Sequence, residues 1–375
     1  MVVGGGPVGA CLARATPGLR VALVAHERRA ARAAAAGAFD ARVYALSPGN
    51  VAFLQEIGVW RALDRERLNP VRAMRVFGDD GASELDFDAY RAGVRELAWI
   101  VEDAALQDAL WQGLDPIVAE LESIRVSEKS VAAALRDGRS LEALLVVGAD
   151  GADSFVRQAV GIAASQSDYG QSAVVANFRC EKPHEDMAWQ WFQGGPVLAL
   201  LPLPHGQVSM VWSLPTLEAA RVCALDAGAL CREVETASRG RLGALRLAAA
   251  PRSYALRRLA ARRLVAPRIA LAGDAGHVIH PLAGQGLNLG LQDARALAAV
   301  LGAREPGRDP GEARLLRRYE RSRAEPILGM DTVVDGLYAL FAGSHPLTGR
   351  LRNAGLNLAD RMAVLKNVLV RHAMN

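Results

Sequence analysis

Apolar positions along the chain follow two rhythms. Short, nearly continuous apolar runs at 2–3, 19–24, 144–148 and 268–272 predict strands covered on both faces, as in a parallel sheet packed between layers. Residues 71–87 alternate as strands. From 172 to 215 the period is again two, with runs at 173–178, 187–192, 197–202 and 208–213, which predicts a separate, mainly antiparallel sheet. Helical spacing appears at 48–60 (Val51, Leu54, Ile57), at 101–111 (Leu106, Leu110), from Leu287 onward, and from about 315 to 372 with breaks at Pro326 and His345-Pro346. Residues 30–38 read as an Ala/Arg-rich loop or weak helix. The expected fold class is α/β. A discontinuous first domain is assigned to 1–70, 96–166 and 262–330, a substrate-type sheet domain to 71–95 and 167–261, and a C-terminal helical segment to 331–375.

Three glycine and aspartate motifs fall at the ends of the apolar runs. Gly4-x-Gly6-x-x-Gly9 follows the first strand and opens a small-residue helix, where a dinucleotide pyrophosphate can rest on backbone N–H groups. An acid for the ribose is expected about 20 residues on. The second strand instead ends at Ala25, so either Glu27 reaches the ribose or that contact is missing. The second motif is Asp150-Gly151 with Ser154 and Arg157 starting a helix. Asp150 can accept ribityl or ribose hydroxyls, and an Asp-Gly turn with an Asp/Ser helix cap is the alternative. The third runs from Gly273-Asp274 through His277, His280, Pro281, Gly284, Gly286, Leu287 and Asn288 to Asp293. Asp274 at a strand end can accept two sugar hydroxyls, and the glycines around Asn288 let backbone approach a flat ligand.

Composition narrows the classes. With 375 residues, 51% hydrophobic and 22% charged, the chain can form a large core and a cleft. The 44 Lys+Arg against 40 Asp+Glu leave only +4, which does not point to nucleic acid. Cys11, Cys180, Cys223 and Cys231 have no metal-ligand spacing and read as buried thiols of a reducing compartment. No secretory leader or run of about 18 apolar residues occurs, so a cytoplasmic chain is expected, with any membrane contact peripheral.

In this order the motifs resemble those of the FAD-dependent aromatic-ring monooxygenases with the para-hydroxybenzoate hydroxylase fold, and more narrowly the ubiquinone-biosynthesis hydroxylase family. The resemblance extends over nearly the whole chain through Asp40-x-Arg42-x-x-Ala45-Leu46-Ser47, Val101-Glu102-Asp103, Tyr169-Gly-Gln-Ser-Ala173, Ala188-Trp189-Gln190-x-Phe192, Val211-Trp212-Ser213 and Leu351-Arg352-Asn353-x-Gly355-Leu356. It implies a Rossmann-like FAD-binding domain with an inserted antiparallel substrate domain. By similarity, Gly4, Gly6, Gly9 and Arg42 hold the pyrophosphate, Asp150 sits beside it, Gly273-Asp274 meets the ribityl or ribose hydroxyls, and Pro281 with Gly284, Gly286, Leu287 and Asn288 frames the isoalloxazine. Departures are the few residues before Val2, a shortened first helix, Ala25 at the acidic position, and Gly276 where alanine is usual. The first three predict weaker FAD retention than in close relatives, or a natural start upstream of Met1.

The resemblance further implies that NAD(P)H reduces the FAD without its own Rossmann domain, and that O2 then gives a C(4a)-hydroperoxide that hydroxylates a prenylated phenol. Pro281 and His280 are the expected catalytic positions, with His277 and His280 as relay candidates or, equally, structural histidines. Trp189, Trp191, Phe192 and Trp212 are pocket-lining candidates or ordinary sheet packing. Two other readings stay open: a flavoprotein-fold scaffold of a biosynthetic assembly with weak or no FAD binding, and another aromatic-ring flavin monooxygenase. Leu337, Leu340, Phe341, Leu351, Leu356 and Leu365 among basic residues form an amphipathic C-terminal pattern suited to packing, a partner protein of the same pathway, or a membrane surface.

Overall fold

A computed structural model describes residues 1–28, 38–79, 83–280 and 285–342. The chain opens with β1 (Val2–Val3), α1 (Pro7–Ala15) and β2 (Leu23–Ala25), then β3 (Val43–Leu46), α2 (Pro48–Glu56), β4 (Asn69–Val71), β5 (Ala73–Phe77), β6 (Glu84–Asp88), β7 (Ala98–Glu102) and α3 (Asp103–Trp111). Next come β8 (Ile117–Val118), the meander β9 (Leu121–Val126), β10 (Val131–Leu135) and β11 (Ser140–Ala143), then β12 (Val146–Gly148) and α4 (Phe155–Ala159). β13 (Ala164–Cys180), β14 (Met187–Phe192), β15 (Val197–Leu203) and β16 (Gln207–Pro215) precede α5 (Thr216–Cys223), α6 (Ala227–Ala237) and β17 (Leu245–Ala261). The chain returns through β18 (Val265–Ala266), β19 (Ile269–Leu271), β20 (His277–Val278), α7 (Gly286–Gly302) and α8 (Ala313–Ala342).

A six-stranded sheet of order β18-β19-β12-β1-β2-β8 is parallel except at β18. Alternation along each strand sends successive residues to opposite faces. Val2, Leu23, Val147 and Ala270 enter one core with Leu12 of α1, Leu110 of α3, Leu297 of α7 and Leu316 of α8. Val3, Val24, Val146 and Leu271 enter another with Val131, Ala133 and Leu135 of the meander. Both faces being covered is why these strands read as unbroken apolar runs.

The second sheet, of order β20-β17-β13-β16-β15-β14-β5-β6, is antiparallel except for the β14–β5 pair. Its outer face is covered by α5 and α6: Val174, Phe178, Trp189, Trp191, Leu198, Met210 and Trp212 share a core with Val222, Leu230 and Val234. Trp191 stacks on Phe77 at 5.5 Å and 12°. Trp189, Trp191 and Trp212 are therefore packing residues of the outer face rather than pocket lining. Phe192 alternates to the inner face and clusters with Val76, Leu85, Val197, Ile279 and Leu289.

Several elements differ from the expected ones. The helix expected at 101–111 starts at Asp103, because Val101 and Glu102 complete β7. β17 and the β9–β11 meander are additional strands. No break occurs at Pro326, which lies inside α8. A proline removes one helical hydrogen bond, at about 3 kcal/mol. Here the turn that follows it is anchored on two sheets: Ile327 packs on the first core, Met330 on the inner-face cluster, and Asp331 accepts from Arg258 Nε of β17 at 3.0 Å. The amphipathic pattern after residue 342 lies outside the described residues. Cys11 and Cys231 are buried and Cys180 and Cys223 partly so, all unpaired, and burial pushes the Cys11 thiol up to about 12. Among the described residues no helix is long and apolar enough to cross a membrane.

Candidate active site

The three glycines of the first motif serve three different steric needs. Gly4 has φ +112°, and a Cβ there would lie 2.1 Å from the carbonyl oxygen of Ala149 at the end of β12. A Cβ at Gly9 would lie 2.0 Å from the carbonyl oxygen of Gly4, so this residue lets α1 pack on the loop. Gly6 is the N-cap of α1, with φ −68° and ψ 176°, and a Cβ there would meet nothing within 4 Å. That open side faces off the first turn of α1, where backbone N–H groups lack helical partners and favour an anion. Trp111 Nε1 donates to the Gly5 carbonyl at 2.9 Å and fixes the loop from α3.

Asp150 follows β12 and touches this loop through its backbone N, 2.8 Å from where a Gly4 Cβ would stand. Its carboxylate accepts from Ser154 Oγ at 2.6 Å and from the Val156 backbone N at 3.0 Å, capping α4. Buried Arg157 then donates to the Ala275 carbonyl at 2.9 Å, joining the second motif to the third. Asp150 thus shapes the floor of the site through α4.

Residues far apart in sequence meet above the loop. The Arg42 guanidinium lies over the rings of Tyr44 at 5.4 Å and Tyr254 at 5.5 Å, within the electrostatic reach of Asp103 and Asp274. Tyr44 donates to Asp103 Oδ1 at 2.7 Å, and burial raises its phenol above the ordinary range. Asp274 is open to solvent in this cleft and has no hydrogen-bond partner among the described residues. Crowding by protein pushes its carboxyl up, while His277, Arg42 and Arg257 pull it down. Glu27 is exposed just past Ala25.

Behind Asp274 lies a buried charge cluster. Asp293 of α7, with no exposure, accepts from Gly273 N at 2.8 Å, His277 Nε2 at 2.6 Å and Arg323 Nε at 2.6 Å. His277 is held there as a structural partner. Asp293 anchors the Gly273 turn, whose φ of +61° suits glycine. Gly276 faces Leu264, whose Cδ2 would lie 2.6 Å from a Cβ. Asn288 is buried and uses its side chain as a cross-link: Nδ2 donates to the Ala45 carbonyl at 2.8 Å, and Oδ1 accepts from Ser47 N at 3.0 Å and Asn50 Nδ2 at 2.9 Å. Gly286 opens α7 with free space at its Cβ position, and Leu287 packs partly on the first core. His280 is fully buried, its Nε2 3.3 Å from Gln171 Oε1 and its ring edge-on to Tyr169 at 4.7 Å; burial holds its pKa near 4. Pro281 and Gly284 lie outside the described residues.

The open side of Gly6, the partner-free Asp274 carboxylate and the N-terminus of α7 fit the pyrophosphate, a sugar-chain hydroxyl pair and a flat ring in turn. Tyr44, Trp111, Tyr254 and Arg323 carry no motif of their own, and only the packing reveals them. Replacing Asp274 with alanine is expected to weaken FAD about tenfold, the loss of one charge-assisted hydrogen bond. Titration of apo protein by flavin fluorescence reads this, and unchanged affinity would remove Asp274 from the site.

Fold and site together define an FAD-binding protein of the α/β class with a second, mainly antiparallel sheet. The FAD binding domain family matches residues 1–328. Over its whole length the chain is 34% identical to the 3-demethoxyubiquinol 3-hydroxylase of Escherichia coli, covering 97% of that protein. It is equally similar, 34%, to the ubiquinone hydroxylase UbiL of Rhodospirillum rubrum, over 100% of this chain and 89% of that one. Among solved structures, Klebsiella pneumoniae HpxO complexed with FAD and uric acid superposes with a TM-score of 0.77 at 19% identity, over 99% of this chain and 96% of that one. Pseudomonas aeruginosa PqsL with 2-aminobenzoylacetate gives 0.77 at 24%, over 95% and 98%. The chain belongs to the FAD-dependent monooxygenases, in the family of the ubiquinone-biosynthesis hydroxylases.

Proposed function

We propose that this protein hydroxylates a prenylated phenol ring in ubiquinone biosynthesis, using NAD(P)H and O2. The observation that carries this reading is full-length similarity at 34% identity to two hydroxylases of ubiquinone-type rings. The apolar cluster of Val76, Leu85, Phe192, Val197, Ile279 and Leu289 supports it, since it sets a greasy surface beside the flavin motif. Bound FAD supplies electron transfer from NAD(P)H and the activation of oxygen.

The chain's own residues bind, orient and exclude water. Gly4, Gly6, Gly9 and Arg42 hold the pyrophosphate end, Asp274 the sugar chain, and Gly284 to Asn288 with Pro281 the ring end. Asn288 acts by fixing the first turn of α7 against β3 and α2. His280 is neutral at pH 7. Because a carbonyl oxygen only accepts, its Nε2 donates to Gln171 and Nδ1 is the accepting nitrogen, so the imidazole can relay a proton without carrying net charge. The discontinuous domain assignment, with 71–95 and 167–261 as substrate domain, follows from the same reading. A peripheral membrane contact through 331–375 suits a lipid-soluble substrate, and vesicle co-sedimentation with and without that segment tests it.

The decisive experiment supplies FAD, NAD(P)H and labelled oxygen gas with demethoxyubiquinol, and follows the product by mass spectrometry. One labelled oxygen per ring is expected. Tight FAD binding with no labelled ring overturns the substrate assignment, and a colourless protein that takes up no FAD supports the scaffold reading instead.

A further inference from the structure

The inner face of the second sheet holds a feature that the flavin motifs do not account for. By alternation, this face carries Ala188, Gln190 and Phe192 on β14, Val197, Ala199 and Leu201 on β15, Met74 and Val76 on β5, and Leu85 and Phe87 on β6. Charged residues of these strands, such as Arg75 and Asp86, pair with each other on the opposite face. Gln190 stands in the middle. Ala199 and Val76 are its neighbours across the sheet, and Ala188 and Phe192 along the strand. Val76 and Phe192 in turn cluster with Ile279, next to His280, and with Leu289 in the first turns of α7.

Gln190 is 6% exposed, and its side-chain amide has no hydrogen-bond partner among the described residues. An amide on this apolar face, with no protein group to answer it, loses its hydrogen bonds to water when a ligand covers it, and that loss is made good only if the ligand supplies a partner. A leucine or methionine would fill this position without that loss. A carboxamide offers both a donor and an acceptor, and no charge. What satisfies it is a neutral oxygen substituent that can accept from Nε2 or donate to Oε1. A carboxylated ring would have to bury its charge against Phe192, Val76 and Ala199 with no cation beside it among the described residues, which costs far more than burying a neutral hydroxyl.

We propose that Gln190 is the specificity-determining residue of the substrate site: its amide hydrogen-bonds a neutral hydroxyl on the ring, and the uncharged face around it admits only rings without a carboxylate. This rests on the hydroxylase reading above and sharpens its substrate class.

The test uses FAD-loaded full-length protein and three probes: an alkyl-substituted ortho-methoxyphenol, the matching alkyl methoxybenzene lacking the hydroxyl, and para-hydroxybenzoate. Binding is read from the perturbation of the flavin absorbance. The wild type is expected to bind the phenol about 10- to 100-fold more tightly than its dehydroxy counterpart, as for a site built to hydrogen-bond a hydroxyl. It is expected to bind para-hydroxybenzoate more weakly still. Gln190→Met, which keeps the volume, is expected to bind the phenol and the dehydroxy probe alike with FAD affinity retained. A merely structural role would weaken both probes equally and preserve their ratio, which overturns the proposal. Binding of para-hydroxybenzoate as tight as that of the phenol overturns the exclusion of carboxylates. Failure of all probes to perturb the wild-type flavin overturns the hydroxylase reading itself. Gln190→Asn, which retains the amide on a shorter stem, provides a second variant should Gln190→Met fail to fold, and is expected to lower the ratio without abolishing it; an unchanged ratio counts against Gln190.

Discussion

Gly6→Ala is expected to fold normally and to bind FAD about 10- to 100-fold more weakly, while Gly4→Ala loses the fold of the loop outright. A Cβ at Gly6 meets no protein atom, and its extended backbone is open to any residue, so the apo protein has no reason to suffer. The methyl group instead occupies the approach of the pyrophosphate to the first turn of α1, and each tenfold loss corresponds to about 1.4 kcal/mol. At Gly4 a Cβ would overlap the Ala149 carbonyl and force a side chain onto a φ of +112°. Left-handed strain of about 1–3 kcal/mol then adds to a main-chain clash that cannot relax without parting β1 from β12. Thermal melts of the apo proteins with FAD titrations separate the two. Wild-type FAD affinity in Gly6→Ala would show that the pyrophosphate does not cross this residue.

Asp293→Asn is the second large effect. The residue is fully buried between His277, Arg323 and the Gly273 N–H, and removing its charge leaves the nearly buried Arg323 guanidinium uncompensated. Breaking a buried pair from one side costs about 3–5 kcal/mol, readable as a shift in the urea midpoint. FAD affinity should fall as well, since Asp293 holds the turn that presents Asp274. The acid limb gives an independent check. Its charged partners hold the Asp293 carboxyl below its ordinary value against the opposing pull of burial. A lowered folded value contributes stability above the unfolded value of about 3.9 that is lost as pH falls through the folded one. Wild type should therefore lose stability on acidification below about pH 4 more steeply than the variant. Matching acid limbs, or a urea shift under about 1 kcal/mol, would count against the cluster as the anchor of the site.

The two sheets differ in how much of them can be read from residues. Val2–Val3, Val146–Gly148 and Ile269–Leu271 stand out because both faces of their sheet are covered, which leaves no polar alternation to confuse the pattern. β17 hides because one of its long edges is solvated: Arg246, Arg252 and Arg257 interrupt its apolar positions. The Val101–Glu102 boundary was misplaced for a related reason, since Glu102 ends a strand while serving as a buried acceptor for Arg67. Pro326 is tolerated because the turn that follows it is anchored on two different sheets through Ile327, Met330 and Asp331, and such contacts leave no local mark. The same limit applies to the tryptophans, whose face depends on where α5 and α6 pack.

From its sequence alone the chain determined its α/β class, the three cofactor motifs and their order, and the resemblance to a flavin hydroxylase family. These are local properties, set by steric demands on glycine and by which apolar residues must avoid water. Tertiary structure decided what each polar group is for. It gave Asp150 to a helix cap, His277 to Asp293 and Asn288 to a cross-link, and among the described residues it left Asp274 and Gln190 without hydrogen-bond partners. A buried polar group is satisfied by whatever lies across the fold from it, often more than 100 residues away, so its role follows from packing and cannot be read along the chain.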